Sequence, residues 1–270
     1  MIKYITKWGK VMEIKDEEKL ILAKLNDKIR LCKTRNRIVN TEFLNMHQEI
    51  VINKELARIK EKNYIFTGGY ETAESKILII YPEKLTKEIV EQNIKNIIKA
   101  IKIELPNEQK GKYEHRDYLG TIMQFGLTRE RIGDIIVHED KAYILVLQEN
   151  SEYVKDSLKL TSKFKKSKIE IIDVSEIETK EIEFEELKIT INSPRLDNFV
   201  SEIAKTSRND TSKLIEAEQV SVNCQVETRQ SRTIEKGDII IIRRKGKFIV
   251  DEFRHINRKN RQIVIIKKYK

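Results

Sequence analysis

The sequence predicts an α+β fold, and three observations support this prediction. Apolar residues recur at helical spacing near the N-terminus, a βαββαβ order of segments follows in the middle, and two short helices precede a β hairpin after Pro194. A chain of 270 residues is long enough for two or three domains. We therefore expect a mainly helical N-terminal domain at residues 1–75, a central α+β domain at residues 76–175 and a C-terminal αα-β hairpin domain at residues 187–270.

The N-terminal domain is predicted to consist mainly of two helices. Between Asp16 and Arg37 apolar residues recur at spacings of about 3.6, which is typical of one long amphipathic helix. Acidic residues at its start suit the positive end of the helix dipole. A second helical segment follows Leu44 and ends before Gly68 and Gly69, which interrupt the pattern.

The central domain is predicted from a strand pattern that begins after Gly69. An aliphatic run from Lys76 to Tyr81 ends at Pro82, and a helical segment follows it. The next six segments are strand Ile97–Glu104, helix His115–Phe125, strand Asp134–His138, strand Ala142–Leu147, helix Ser151–Leu160 and strand Lys168–Val174. This βαββαβ order is the arrangement of ferredoxin-like and RNA-recognition-motif folds.

The central strands contain few of the residues with which RNA-recognition motifs contact RNA. Those domains stack bases on aromatic side chains of their two central strands. The corresponding strands of this chain contain one aromatic residue, Tyr143, among aliphatic residues and lysines. We therefore favour a scaffold or a protein-contact surface for this domain, with direct base stacking as the open alternative.

Positive charge is concentrated near the C-terminus. The chain has a net charge of +10, and residues 195–270 contain 18 basic and 10 acidic residues, so +8 of that charge lies in the last 76 positions. A polyanion such as RNA is the expected partner of this region. The two cysteines, Cys32 and Cys224, stand far apart and provide neither a disulfide framework nor a metal motif. With no signal peptide or membrane span expected, the sequence predicts a cytoplasmic protein.

The C-terminal domain is predicted to begin with two helices. The first follows Pro194 and has an apolar stripe that starts at Leu196 and ends at Ala204. Ser207 and Asp210 have the spacing of a capping box, in which the serine caps the second helix and the acid returns to the serine N–H. A tight turn at Asn223 is expected next, because asparagine tolerates the left-handed conformation.

Cationic side chains around these helices and the following strands are the candidate RNA contacts. Arg208 and Lys213, near the start of the second helix, are expected to form a phosphate-binding corner with free backbone N–H groups. For any one cation, a solvated surface charge is the alternative. The full set of candidate RNA-contact residues is Arg195, Asp197, Lys205, Ser207, Arg208, Lys213, Asn223, Arg229, Arg232, Arg243, Arg244, Lys245 and Lys247.

The segment from Arg195-Leu196-Asp197 to Lys247 resembles the S-four RNA-binding domain. The wider layout is similar to the YlmH family of bacterial S-four proteins, which the motifs at residues 66–70, 115–117 and 126–134 also resemble. The resemblance implies a non-catalytic protein that binds RNA of the large ribosomal subunit, with tRNA as a further candidate. It also implies a role in ribosome-associated quality control or rescue of stalled peptidyl-tRNA.

Enzyme motifs are incomplete in this sequence. His115-Arg116-Asp117 resembles a kinase catalytic loop, but position 122 is Ile where that chemistry needs a metal-binding asparagine, so Asp117 is expected to cap a helix. The histidines lack ligand spacing, and no glycine-rich phosphate loop is present. We expect no metal, cofactor or small-molecule substrate. The alternative is an rRNA-modifying enzyme with a site around Asp117 and Arg129–Arg131.

Overall fold

The structure, a computed structural model, describes residues 3–5, 11–179, 183–256 and 261–269, and side chains within residues 16–179, 183–254 and 261–269. The chain forms two compact units, Met1–Lys180 and Glu181–Lys270. It combines helices with antiparallel sheets, which confirms the predicted α+β class. The division into three domains stays a prediction. The turn expected at Asn257–Asn260 lies outside the described residues.

The first unit contains five α-helices and nine strands within its described residues. These elements are β1 Lys3–Ile5, β2 Val11–Glu13, α1 Ile14–Arg35, β3 Val39–Asn40, α2 Met46–Arg58, β4 Tyr64–Thr67, β5 Ile77–Ile80, α3 Lys87–Gln92, β6 Ile98–Glu104, α4 His115–Met123, β7 Ile132–Val137, β8 Lys141–Leu147, α5 Gln148–Leu160 and β9 Lys168–Asp173. Both long N-terminal helices, α1 and α2, were expected from the apolar spacing.

Helix α2 begins after Asn45, whose side chain caps the first turn of the helix. The Asn45 side chain accepts a hydrogen bond from the Gln48 N–H, and the Gln48 side chain accepts one from the Asn45 N–H, each at 3.0 Å. This reciprocal capping box satisfies two N–H groups that the first turn would leave unpaired. The helix then buries Ile52 and Leu56 in a core with α1 and β5.

A three-stranded antiparallel sheet of order β3-β5-β4 supports these helices. All four residues of β5 are buried, because this central strand is covered on both faces. The sequence predicted β5 but not β3 or β4. Strand β3 has two residues and β4 has four, which is too short for alternation of polar and apolar residues to be recognised.

A four-stranded antiparallel sheet of order β7-β8-β6-β9 follows. With α4 and α5, it confirms the predicted βαββαβ order of elements. The helices pack on one face, where Tyr118 of α4 and Val154 of α5 join Ile101 and Ile144 in one core. This strand order is that of ferredoxin-like and RNA-recognition-motif folds.

N-terminal elements cover part of the opposite face of this sheet. Phe43 and Ile77 pack with Leu145 and Leu147 of β8 in a second core. The approach is close, because a Cβ added at Gly133 would lie 2.6 Å from Cε1 of Phe43. One core thus contains residues from both the predicted N-terminal domain and the predicted central domain.

The second unit is a six-stranded antiparallel sheet with two helices. Its elements are β10 Phe184–Ile191, α6 Leu196–Ala204, α7 Arg208–Glu216, β11 Val220–Val222, β12 Gln225–Val226, β13 Ile239–Ile242, β14 Gly246–Ile256 and β15 Gln262–Tyr269. The strand order is β10-β15-β14-β13-β11-β12. Leu196, Phe199, Val200 and Ala204 are buried, which confirms the predicted stripe of α6.

Two features are absent from the described residues. No helix there is both long enough and apolar enough to cross a bilayer. Nor does that part of the chain bring three or more His, Cys, Asp or Glu side chains together in a way that could hold a metal ion.

Candidate nucleic-acid interface

The turn between α6 and α7 leads into α7, which Ser207 caps at its N-terminus. Lys205 adopts a left-handed conformation with φ 54° and ends α6. The Ser207 hydroxyl accepts a hydrogen bond from the Asp210 N–H at 3.2 Å and donates one to the Asp210 carboxylate at 2.8 Å. Ser207 is therefore the predicted N-cap. The Asp210 carboxylate, however, contacts the serine hydroxyl rather than its predicted partner, the serine N–H.

The first turn of α7 contains an exposed cation, Arg208. Arg208 is exposed, and its guanidinium has no hydrogen bond or ion pair among the described residues. Lys205 lies 3.7 Å from Glu202 and Lys213 lies 3.7 Å from Asp210, and both lysine side chains are more than three-quarters exposed. Such exposed pairs contribute little, so both lysines can exchange their carboxylate for a phosphate.

Arg195 is held by the acid two residues after it. Its Nε and Nη2 donate to the two carboxylate oxygens of Asp197 at 3.1 and 2.8 Å. This bidentate hydrogen bonding raises the pKa of Arg195. The Arg195 backbone also forms a bridge with Thr233, and the Leu196 N–H donates to the carbonyl of Arg232 at 2.9 Å. The start of α6 is therefore fixed against the loop that follows β12.

Glu227 is a buried carboxylate that organises this loop. Its side chain is 3% exposed and accepts hydrogen bonds from Arg229 Nε at 3.0 Å, Arg229 Nη2 at 2.9 Å and Arg232 Nη1 at 3.0 Å. Burial alone would raise the pKa of Glu227, but these bonds and one from the Arg229 N–H outweigh it and lower the pKa to about 2. Two arginines around one carboxylate leave one positive charge.

Asn223 forms the tight turn predicted between β11 and β12. Asn223 and Cys224 have φ of 52° and 64°, which is typical of a two-residue hairpin turn. The Asn223 side chain donates to Asp238 Oδ1 at 2.7 Å and accepts from the Ile239 N–H at 2.9 Å. Because the amide is buried and bound on both sides, its contribution within the protein is to hold the turn against β13.

The turn between β13 and β14 contains three consecutive exposed cations. We call Arg243, Arg244 and Lys245 the basic turn. The Arg243 N–H donates to the carbonyl of Gln219 at 2.9 Å, and Arg244 has φ 64°. All three side chains are exposed, and none has a hydrogen bond or ion pair within the described part of the chain. Lys247 differs, because its Nζ lies 4.3 Å from the centre of the Tyr269 ring.

The structure therefore places the exposed candidate cations in separate groups. The basic turn lies beside Gln219, at the C-terminal end of α7, whereas Arg208 lies at the N-terminal end of the same helix. A helix of this length spans about 13 Å at 1.5 Å per residue. An RNA segment that contacts both groups must extend at least that far.

Two structural roles were missed by reasoning from the sequence. The pairing of Glu227 with Arg229 and Arg232 was not predicted, although an acid followed by arginines two and five positions later is a visible signal. Gln230 was also missed. Its side chain accepts from the Ser212 hydroxyl at 3.2 Å and donates to Glu216 at 3.2 Å, so it joins the same loop to α7.

The residues of the alternative enzyme site have structural partners. Asp117 accepts from the Glu114 N–H at 3.0 Å in a capping box and from Lys163 Nζ at 3.1 Å. The first of these bonds is the main cause of a lowered pKa of Asp117. The capping role predicted for Asp117 is confirmed. Arg129 donates to the carbonyls of Ile132 and Gly133.

Comparison with known proteins shows similarity along most of the chain. Residues 95–181 match the family model described as "Putative RNA-binding domain in YlmH". The chain is 27% identical over 238 residues to "Ribosome-associated protein quality control protein P2" of Bacillus subtilis (strain 168), covering 86% of this chain and 88% of that protein. A solved structure, "Cell division protein ylmH from Streptococcus pneumoniae", is 24% identical with a TM-score of 0.48, covering 62% of this chain and 96% of that one.

Proposed function

Because this chain belongs to the YlmH family, we propose that it is a non-catalytic protein that binds RNA of the large ribosomal subunit. Its role is in ribosome-associated quality control, as the name of the Bacillus subtilis relative suggests. Rescue of subunits that hold peptidyl-tRNA is the specific task we propose, with tRNA as a second RNA contact. A protein with this task acts in the cytoplasm.

One observation carries the RNA-binding proposal. The basic turn presents three exposed cations with no side-chain partner in the described residues, and it lies in the segment 195–270, which has +8 of the net charge of +10. Exposed cations that are not neutralised internally are free to replace the counterions of a phosphate backbone. Arg195, Arg229 and Arg232 are instead neutralised in part by Asp197 and Glu227, so we assign them mainly to shaping the surface.

The proposal is tested by binding to purified large subunits over a range of salt concentrations. Arg243→Ala, Arg244→Ala and Lys245→Ala are combined in one variant. Each lost phosphate contact is expected to cost about 1 kcal/mol or more, so affinity should fall by about a hundredfold. The slope of log affinity against log salt should become shallower by about 0.7 to 0.9 per lost contact.

A matched control removes three exposed cations from the first unit. Lys24, Lys54 and Lys84 are exposed and lie outside the proposed interface. The variant with these three changed to alanine has the same net charge as the basic-turn variant, and it should keep most of the affinity. Equal losses in the two variants would mean that overall charge, rather than the basic turn, determines binding.

The non-catalytic part of the proposal has a separate test. Mass spectrometry of ribosomal RNA from cells that lack the protein is expected to show the same set of modified nucleotides as the parent. A modification that disappears with the protein, and returns when it is restored, would show enzyme activity and overturn this part.

A further inference from the structure

The four-stranded sheet offers RNA no exposed aromatic ring on its central strands. RNA-recognition motifs stack bases on such rings. Strands β6 and β8 contain one aromatic residue, Tyr143, which is 1% exposed and whose hydroxyl lies 3.5 Å from Glu178 Oε1. Leu145 and Leu147, on the same face of β8, pack against N-terminal elements. Any RNA contact of this sheet therefore has to use its loops or helices.

Two segments at one end of this sheet are rich in lysine, and we call them the lysine loops. The first, residues 105–113, follows β6, and the second, residues 159–168, runs from the end of α5 to the start of β9. Together they contain seven lysines and one acidic residue, Glu108, which gives a net charge of +6. Residues 1–194 as a whole have a net charge of only +2. The lysine loops are therefore a local excess of positive charge, which acidic residues elsewhere in that segment offset.

Packed aromatic rings join the two lysine loops. The end of β6 pairs with the start of β9, so the first loop leaves the sheet where the second one reaches it. The Tyr113 hydroxyl donates to the carbonyl of Lys163 at 3.4 Å, and the Tyr113 ring lies 5.3 Å from the Phe164 ring between centroids. Phe164 is fully buried and stacks on Tyr118 of α4. The loops are thus fixed to each other, and the lysine side chains extend from a stable base.

Most lysines of these loops are open to a ligand. Lys163 donates to Asp117 at 3.1 Å, and Lys168 pairs with Glu170 at 2.8 Å. Lys166 lies 3.7 Å from Glu108, but both side chains are largely exposed, so this pair holds weakly. The exposed lysines of these loops that have no hydrogen bond or ion pair in the described part of the chain are Lys110, Lys112, Lys159 and Lys165.

We propose that the lysine loops form a second RNA-contact surface, which binds the phosphate backbone of double-stranded RNA. Lysine contacts phosphate as a point charge and reads no sequence. A duplex suits this surface because it is recognised by its shape and its phosphates. An unpaired base would need a free ring to stack on, but the rings of Tyr113 and Phe164 pack against each other.

This surface rests on the proposed RNA-binding function and deepens it, because it adds a contact in the first unit. Both lysine loops lie within residues 95–181, the segment that matches the YlmH family model. An acidic protein is the other partner that a lysine surface could take, and the experiment separates the two.

The test uses the full chain and a short fluorescein-labelled RNA duplex as the probe. The basic-turn variant serves as the parent, so that binding by the second unit is reduced. Lys110→Ala, Lys112→Ala and Lys165→Ala are combined in this parent to give the loop variant. In an anisotropy titration the loop variant should bind the duplex about tenfold or more weakly than the parent, with a salt slope shallower by about 0.9 per lost contact.

Charge and folding are controlled separately. Lys24, Lys54 and Lys84, which are also exposed, are changed to alanine in the same parent, and this variant should keep the affinity of the parent. Replacing the three loop lysines with arginine keeps their charge and should keep the affinity as well. Melting curves of all variants should coincide with that of the parent. Equal affinities of the loop variant and the control, or a parent that no longer binds the duplex, would overturn the proposal.

The partner is decided by the same titration with fluorescein-labelled poly-L-glutamate in place of the duplex. The parent should bind this polymer more weakly than RNA, and the loop changes should have little effect. Polyglutamate binding that is as tight as duplex binding, and as dependent on the loop lysines, would overturn RNA as the partner and indicate an acidic protein.

The outcome is distinguishable from failure of the proposed function. Failure of the ribosome-directed function would appear as wild-type protein that does not bind large subunits. Failure of the second surface would appear only as duplex binding that ignores the lysine loops, while large-subunit binding still depends on the basic turn.

Discussion

Glu227→Gln is the substitution whose effect follows most directly from the structure. It keeps the size of the side chain but removes the negative charge that Arg229 and Arg232 share. Both arginines then face a neutral amide in a position that is 3% exposed. A buried charge network that loses one partner is destabilised. The second unit should therefore unfold more easily at neutral pH.

The size of this effect can be worked from the lowered pKa of Glu227. Its pKa falls from the ordinary 4.5 to about 2, and a difference of this size corresponds to about 3 kcal/mol of stability when the group is ionised in both states. Because the folded pKa is the lower one, this stability is present above pH 4.5 and is lost as pH falls towards 2. At pH 3.5 about 2 kcal/mol of this stability remains, because folded Glu227 is still ionised at that pH.

The assay is urea unfolding at pH 7 and pH 3.5, followed by the native amide signals of β11 and β13 in NMR spectra. The gap in unfolding free energy between the wild type and Glu227→Gln should narrow by about 1 to 1.5 kcal/mol at the lower pH. Glu235→Gln, an exposed acid in the same unit, should show no such change. A gap for Glu227→Gln that stays constant with pH would refute the reasoning.

Three further predictions concern the capped helix, a close contact and a phosphate contact. Ser207→Ala removes the α7 cap and should cost about 1 kcal/mol in urea unfolding of the second unit, whereas Ser207→Asp should keep most of the stability. Gly133→Ala places a Cβ 2.6 Å from Phe43 and should cost about 1 to 3 kcal/mol in thermal unfolding of the first unit. Gly120→Ala, with nothing within 4 Å in helix α4, should be neutral or stabilising, and a reversed order would contradict the packing. Arg208→Ala should weaken large-subunit binding about tenfold and reduce its salt slope by about 1, and an unchanged slope would exclude a phosphate contact.

Long periodic segments of this chain were predictable from the sequence. The βαββαβ order and the stripe of α6 were recognised because each element repeats its apolar residues over several turns or strand steps. Strands β3 and β4 were missed because they are short and take their place by pairing with β5. The contact between the Tyr143 hydroxyl and the Glu178 carboxylate was also beyond prediction, since Glu178 lies 35 residues from Tyr143 along the chain.

By itself, the sequence determined the α+β class, the periodic elements and the concentration of positive charge near the C-terminus, because these depend on residues close together along the chain. Only the tertiary structure decided which cations are available. Arg195 and Arg229 each have an acid two residues away in the sequence, but only the fold shows that Asp197 and Glu227 bind them and that Glu227 also binds Arg232. The physical reason is that a charge is neutralised by the groups that surround it in space, and those are set by the packing of helices and strands.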